Sequence, residues 1–153
     1  MELLIKRTNL DEVEELLEIQ KSAFHEALER YQDYDTSPAT EAKERLQYKI
    51  QHYHHYTIYM DDELIGGAEV RIKSVSHCYL NRIYVNPTHQ GKGIGKKVML
   101  HLEGLYPQAT TWSLNTPHME YRNHYLYEKM GYRKIGEEAF SDKMNLFYYE
   151  KVK

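Results

Sequence analysis

Three glycines at alternate positions, Gly91, Gly93 and Gly95, stand in the stretch QGKGIG immediately before the apolar-periodic run KKVMLHLEGL. Glycine lets backbone amides converge without a Cβ in the way. A helix N-terminus adds unsatisfied N–H groups and the positive end of its dipole, so this loop is built to hold a phosphate. The spacing narrows the choice. A dinucleotide loop reads GxGxxG early in a strand–helix–strand array and is followed by an acidic residue about 20 positions on. Here the loop reads GxGxG, past the middle of the chain, with no such array. An NTPase phosphate loop needs Ser or Thr after GK, and Lys96 is followed by Lys97. Taken alone, the loop is equally a strand-to-helix turn with no ligand.

A second patterned segment lies at residues 111 to 132, TWSLNTPHMEYRNHYLYEKMGY. TWSLNT reads as a strand. Past Pro117 a helical stretch ends at Gly131, a natural left-handed C-cap, and a new strand begins at Tyr132. VNPTHQGKGIGKKVM resembles the acyl-CoA binding segment of the GNAT superfamily of N-acyltransferases, written Q/R-x-x-G-x-G/A, with Gln90, Gly93 and Gly95 in the pattern. LYEKMGY resembles that family's second signature. Two motifs in the right order are far more specific than either alone, and with the order of strands and helices the resemblance covers nearly the whole chain.

The resemblance implies an acetyl-CoA co-substrate, no metal, and direct acyl transfer to a primary amine in a ternary complex. The strand before the loop splays from the strand after the helix, and the backbone of Ile83, Tyr84 and Val85 would hold the pantetheine arm. One amide of that segment would stabilise the oxyanion as the amine attacks. The amides of Gly91, Lys92, Gly93, Ile94, Gly95 and Lys96 would cradle the pyrophosphate, with Gln90 bracing the loop. Tyr127 matches the tyrosine that protonates the departing thiolate, which suits a phenol whose ordinary pKa lies near that of a thiol. The family carries Asn seven residues before this Tyr, where this chain has Glu120; Asn123, one helical turn before Tyr127, is expected to take over the cofactor hydrogen bond.

No general base matches the family position on the strand before the loop, which holds Tyr79. Glu69 on the preceding strand is the nearest acidic alternative, and the imidazole of His77 is a second candidate to accept a proton. On the acceptor side, Tyr31, Asp33, Tyr34 and Asp35 combine aromatic faces with carboxylates in the segment after the first helix, as a cationic amine would require. The run HYHHY at 52 to 56 lacks a second ligand cluster and reads as polar strand entry rather than a metal site.

These residues need a frame. ELLIKRT reads as a first strand, followed by a helix through Val13, Leu16, Leu17 and Phe24 with Asn9 as its cap, then the loop YQDYDTSPAT and a second helix through Leu46 and Ile50. YTIYM, a DDE turn and LIGGAEVRIKSV form a hairpin beside CYLNRIYV. After the glycine loop and its helix come TWSLNT, the signature helix, and a closing antiparallel pair, YRKIGEE and NLFYYEKV. The expected fold is α+β: one GNAT domain over residues 1 to 153, a mixed and mostly antiparallel sheet of six to seven strands, flanked by about four helices.

Composition excludes other classes. The 153 residues carry a net charge of −3, with no basic face, which argues against nucleic acid. Residues 1 to 60 hold 7 Lys and Arg against 12 Asp and Glu, and the remainder 13 against 11, so the half with the glycine loop is the more basic. A single cysteine, Cys78, rules out an intrachain disulfide, and no stretch approaches a membrane span or a signal peptide. The expectation is a cytoplasmic N-acetyltransferase acting on a small-molecule amine or a peptide, with a homodimer open. Two other readings stand beside it: a non-catalytic acyl-CoA-binding module of the same fold, and a nucleotide-binding domain.

Overall fold

A computed structural model describes residues 2–153. Seven strands form one sheet in the order β1-β2-β3-β4-β5-β7-β6: β1 Leu3–Arg7, β2 His54–Met60, β3 Glu63–Ser74, β4 His77–Val85, β5 Thr111–Pro117, β6 Arg133–Ala139 and β7 Asn145–Val152. Every pair is antiparallel except β4 with β5. The closing pair expected from the sequence is present, with β7 inserted between β5 and β6.

Among the described residues five α-helices flank the sheet: α1 Val13–Ala23, α2 His25–Tyr31, α3 Lys43–His52, α4 Ile94–Leu105 and α5 Tyr121–Lys129. The expected count was about four. The difference arises at Phe24, whose backbone leaves the helical region (φ −105°, ψ 8°) and whose ring packs edge-on against Tyr84, centroids 5.9 Å apart. The chain resumes as α2 and stops at Gln32, in the left-handed region. α1 enters through a single 3-10 turn, Leu10–Glu12, where the Asn9 amide donates to Glu12 Oε1 at 2.8 Å.

Strand alternation divides the interior. Val13, Leu16 and Ile19 of α1 and Leu46 and Ile50 of α3 close over Leu64 and Tyr84 on one face. On the other, Ile94, Val98, Met99 and Leu102 of α4, Tyr127 of α5 and Met130 at its C-cap pack on Ile65, Ala68, Val70, Trp112 and Leu114. Successive residues such as Leu64 and Ile65, or Tyr84 and Val85, thus point to opposite helical layers, as a sheet covered on both sides requires.

β4 carries the irregularity that matters for the site. Its register with β3 passes from Glu69 opposite Arg82 to Val70 opposite Leu80, leaving Asn81 as an extra residue. Such a bulge bends the strand and re-aims the side chains beyond it. The ladder between β4 and β5 covers only His77–Tyr79 with Thr111–Ser113. Past that ladder the two strands part. Among the described residues no helix is long and apolar enough to cross a membrane.

Candidate active site

The parted strands open a cavity of about 270 Å³, lined by Leu80 to Ile83 of β4 and Leu114 to Pro117 of β5. Residues Phe24, Ala27, Leu28 and Tyr31 close it on one side, and Asn123 and Tyr127 of α5 reach it as well. The outer edge of β4 stays paired with β3, Ile83 with Ala68 and Val85 with Gly66, while the edge facing β5 has no ladder partner. A strand edge with unpaired amides and carbonyls is a ready binding surface for an extended, amide-bearing chain.

Of the three residues expected to present backbone there, Ile83 lines the cavity. Tyr84 sends its side chain away: it is 4% exposed and lies across Gly67, where a Cβ would stand 2.6 Å from its hydroxyl. That hydroxyl is buried without a partner. The Val85 carbonyl already accepts from Gln90 Nε2 at 3.1 Å, which ties the glycine loop to the end of β4.

Gly91 and Gly93 hold left-handed backbones, φ +79° and +76°, and Gly93 is the N-cap of α4. Beyond its own chain neighbours and helix backbone, nothing lies within 4 Å of the point where a Gly93 Cβ would stand, so this side of the loop is open. Lys92 and Lys96 are exposed, and Ile94 is buried beneath the turn. A Cβ at Gly95 would stand 3.4 Å from Leu126 of α5, so the start of α4 faces α5. One cation escaped the sequence reading: a terminal nitrogen of Arg122 stands 3.7 Å from the Cβ position of Gly91. No spacing marked it, because five residues before Tyr127 it lies off that residue's helical face.

The spacing Tyr-x-x-x-Gly-Tyr is the end of a helix. The amide of Tyr132 donates to the Tyr127 carbonyl at 3.0 Å and that of Gly131 to Glu128 at 3.1 Å, with Gly131 at φ +98°. This double closure is the Schellman motif. The Tyr127 ring is buried among Tyr132 and Tyr149, centroids 6.0 and 5.9 Å away. Burial pushes its phenol far above the ordinary range, with the neighbouring Tyr149 and Tyr79 adding to it, so it stands in the cleft as a protonated donor.

Asn123 lines the same cavity, its Nδ2 3.5 Å from Thr116 Oγ1. Glu120 faces elsewhere. Its Oε2 accepts from Tyr31 at 2.6 Å and from Arg30 Nη1 at 2.6 Å, and the Tyr31 hydroxyl accepts in turn from the Met119 amide at 3.1 Å. Burial, then the carboxylate of Glu120, raise the Tyr31 phenol. The hydroxyl of this expected acceptor-side residue is therefore committed to joining α2 to α5, and its ring alone lines the cleft. Asp33 lines the cleft with its carboxylate fixed by the amide and hydroxyl of Thr36. Tyr34, 63% exposed, and Asp35 point to solvent outside it.

Glu69 does not line the cleft. It is 1% exposed on the α1–α3 face and paired with Arg71 Nε at 2.7 Å, so the carboxylate expected as a base is bound by a guanidinium. His77 Nε2 lies 2.7 Å from Ser113 Oγ at the closed end of the strands, beside Tyr79, whose phenol is raised by burial. The HYHHY histidines diverge. His52 stacks on Tyr48, His54 meets Arg7, and His55 Nδ1 lies 2.7 Å from Thr8 Oγ1.

The bulge sends Arg82 toward α1. Its Nη1 donates to Glu41 Oε1 at 2.9 Å and Gln20 Oε1 at 3.2 Å, and Lys49 Nζ holds the other Glu41 oxygen at 2.6 Å. Burial alone would raise the Glu41 carboxyl, but Arg82 and Lys49 outweigh it and hold it below the ordinary value. Sequence reading missed this cluster because its members are distant in the chain.

With the geometry in place, comparison with known proteins is direct. The model of the Acetyltransferase (GNAT) family matches residues 13–132. The structure is similar to PaiA N-acetyltransferase from Thermoplasma acidophilum in complex with coenzyme A, at 21% identity and a TM-score of 0.79, covering 100% of both chains. It is also similar to yncA from Salmonella typhimurium, solved with its cofactor acetyl-CoA, at 14% identity and a TM-score of 0.75, covering 99% of this chain and 94% of that one. No curated protein sequence matches.

Proposed function

The chain belongs to the GNAT family of acetyltransferases, and on that premise we propose that it takes acetyl-CoA as co-substrate and transfers the acetyl group to a primary amine of a small molecule or peptide. The observation that carries this reading is the pair of parted strands with Tyr127 beside them and the open glycine cradle at one end. Gly91 and Gly93 hold left-handed backbones at the N-terminus of α4 and leave that side of the loop open, so the residues present fit a diphosphate.

In this reading the amides of Gly91 to Lys96 hold the pyrophosphate, Gln90 fixes their approach through Val85, and Arg122 adds a cation at the same loop. The unpaired edge of β4 at Ile83 holds the pantetheine amides. Asn123, held near Thr116, orients the same arm. The acceptor amine enters from the side of α2 and Asp33. It attacks the thioester carbonyl; a β4 amide receives the oxyanion; the C–S bond breaks; and Tyr127 donates to the leaving sulfur. The proton lost from the attacking nitrogen passes to solvent at the mouth near Asp33, and the Tyr127 phenolate regains a proton from solvent once the thiol has left. Glu69, bound to Arg71, takes no part in this route.

The test is thiol release from acetyl-CoA across a panel of primary amines, with the N-acetyl product identified by mass. Amine-dependent release supports the reading. Tight coenzyme A binding without release on any amine would replace it with an acyl-CoA-binding module.

A further inference from the structure

The cleft is lined by two charged side chains among the described residues, Asp33 and Arg82. Its lining also carries an apolar group, Phe24, Leu28, Phe140, Met144 and Leu146, beside the neutral polar residues Thr36, Ser37 and Asn115. An amine substrate alone accounts for Asp33 but not for Arg82.

Arg82 is held rather than free. One nitrogen of its guanidinium, Nη1, is committed to Glu41 and Gln20, which fixes the plane of the group while the fork of five donors has capacity to spare. Its side chain keeps 12% of its surface accessible. The cluster around it does not balance: Glu41 and Glu69 supply two carboxylates, while Lys49, Arg71 and Arg82 supply three cations. Arg45, 3.8 Å from Glu41, increases the excess. Lys49 is closed off within the protein, 6% exposed, and Arg71 faces Glu69 and the ring of Tyr53. Arg82 is the member of this cluster that lines the cleft. A desolvated excess cation with a fixed planar fork calls for a planar anion, and a carboxylate matches it.

We propose that the acceptor is an amino acid with an apolar side chain, its carboxylate read by Arg82, its amine drawn toward Asp33 and its side chain set against the apolar wall. This rests on the acetyl-transfer reading and names its substrate class. A polyamine fits poorly, because its second ammonium would meet Arg82 where a carboxylate is wanted.

The experiment compares leucine, phenylalanine and methionine with their amides as acceptors, following thiol release from acetyl-CoA and correcting each for its fraction of free amine. The expected result is kcat/KM higher for each acid than for its amide by about ten-fold or more, the range of a charge-assisted pair. Arg82→Gln should erase that preference mainly through KM, and Arg82→Lys should restore part of it. Release that is equal for acids and amides, or greater for the amides, overturns the inference while leaving acetyl transfer intact. Release on no amine at all overturns acetyl transfer itself, and this inference with it. The acid-to-amide comparison on the native protein decides the matter even where Arg82→Gln does not fold.

Discussion

The amide of Tyr132 donates to the carbonyl of Tyr127 at 3.0 Å, so the residue that reaches the cleft is also the residue at which α5 is closed. The signature spacing therefore has a mechanical meaning: the cap that ends the helix sets the Tyr127 ring beside the parted strands. Gly131 allows this with its φ of +98°. A Cβ there would meet only the side chain of Lys151 at ordinary contact distances of 3.6 Å and more, so Gly131→Ala should cost the backbone strain alone, about 1–2 kcal/mol. A fall in Tm of roughly 2–8 °C by calorimetry is expected. No change in Tm would show that the cap does not hold α5.

Gly93 separates folding from cofactor affinity. Its Cβ position is empty space, so Gly93→Val meets no clash, and the strain of φ +76° is its main structural cost. The side chain would stand in the proposed phosphate concavity. Titration calorimetry should show coenzyme A binding weakened by about ten-fold or more while the variant stays folded. Unchanged affinity would place the phosphates elsewhere.

Arg122 adds an exposed charge at the same loop. Arg122→Gln is expected to weaken coenzyme A binding several-fold at low salt, with the difference shrinking as ionic strength rises, as screened attraction requires. Equal affinities at low salt would remove Arg122 from the site.

Much of the fold was legible because its signals are local. The strand and helix order came from apolar periodicity, and the glycine loop and helix cap from residues within ten positions of one another. What escaped was non-local. The break between α1 and α2 falls at Phe24, whose ring meets Tyr84, sixty residues away. Glu69 and Arg82 look alike in sequence as charges on neighbouring strands, yet Arg71 and the Asn81 bulge send one away from the cleft and leave the other lining it. Glu120 took a partner from α2 that no spacing reveals. Tyr31 and Asp33, expected on the acceptor side by residue type, border the cleft, while the exposure of Tyr34 and Asp35 depends on how the segment turns after α2.

His55 gives the protein a pH dependence with a definite sign. Burial, and then Arg82, lower its pKa from 6.5 to about 4. In the unfolded chain it takes up a proton as pH falls through 6.5; in the folded chain it resists until about 4. Stability is thus present above pH 6.5 and lost on acidification across that window, by up to about 3 kcal/mol. Glu41, whose pKa is also lowered, adds its loss only at and below its ordinary range near 4.5. Urea denaturation at stepped pH should show the loss in native protein and a flatter profile between pH 6.5 and 4.5 in His55→Asn. An identical slope in both would assign the effect to other groups.

Delivery of a proton to the leaving sulfur is the step that makes Tyr127 more than a packed ring, and Tyr127→Phe tests it while keeping the ring that packs against Tyr132 and Tyr149. The measurement is kcat for amine-dependent thiol release together with the Kd for acetyl-CoA, on the same preparations. The expected outcome is a kcat lower by about 100-fold or more with Kd little changed. A variant that turns over at the native rate, or one that loses acetyl-CoA binding in step with turnover, would contradict that role.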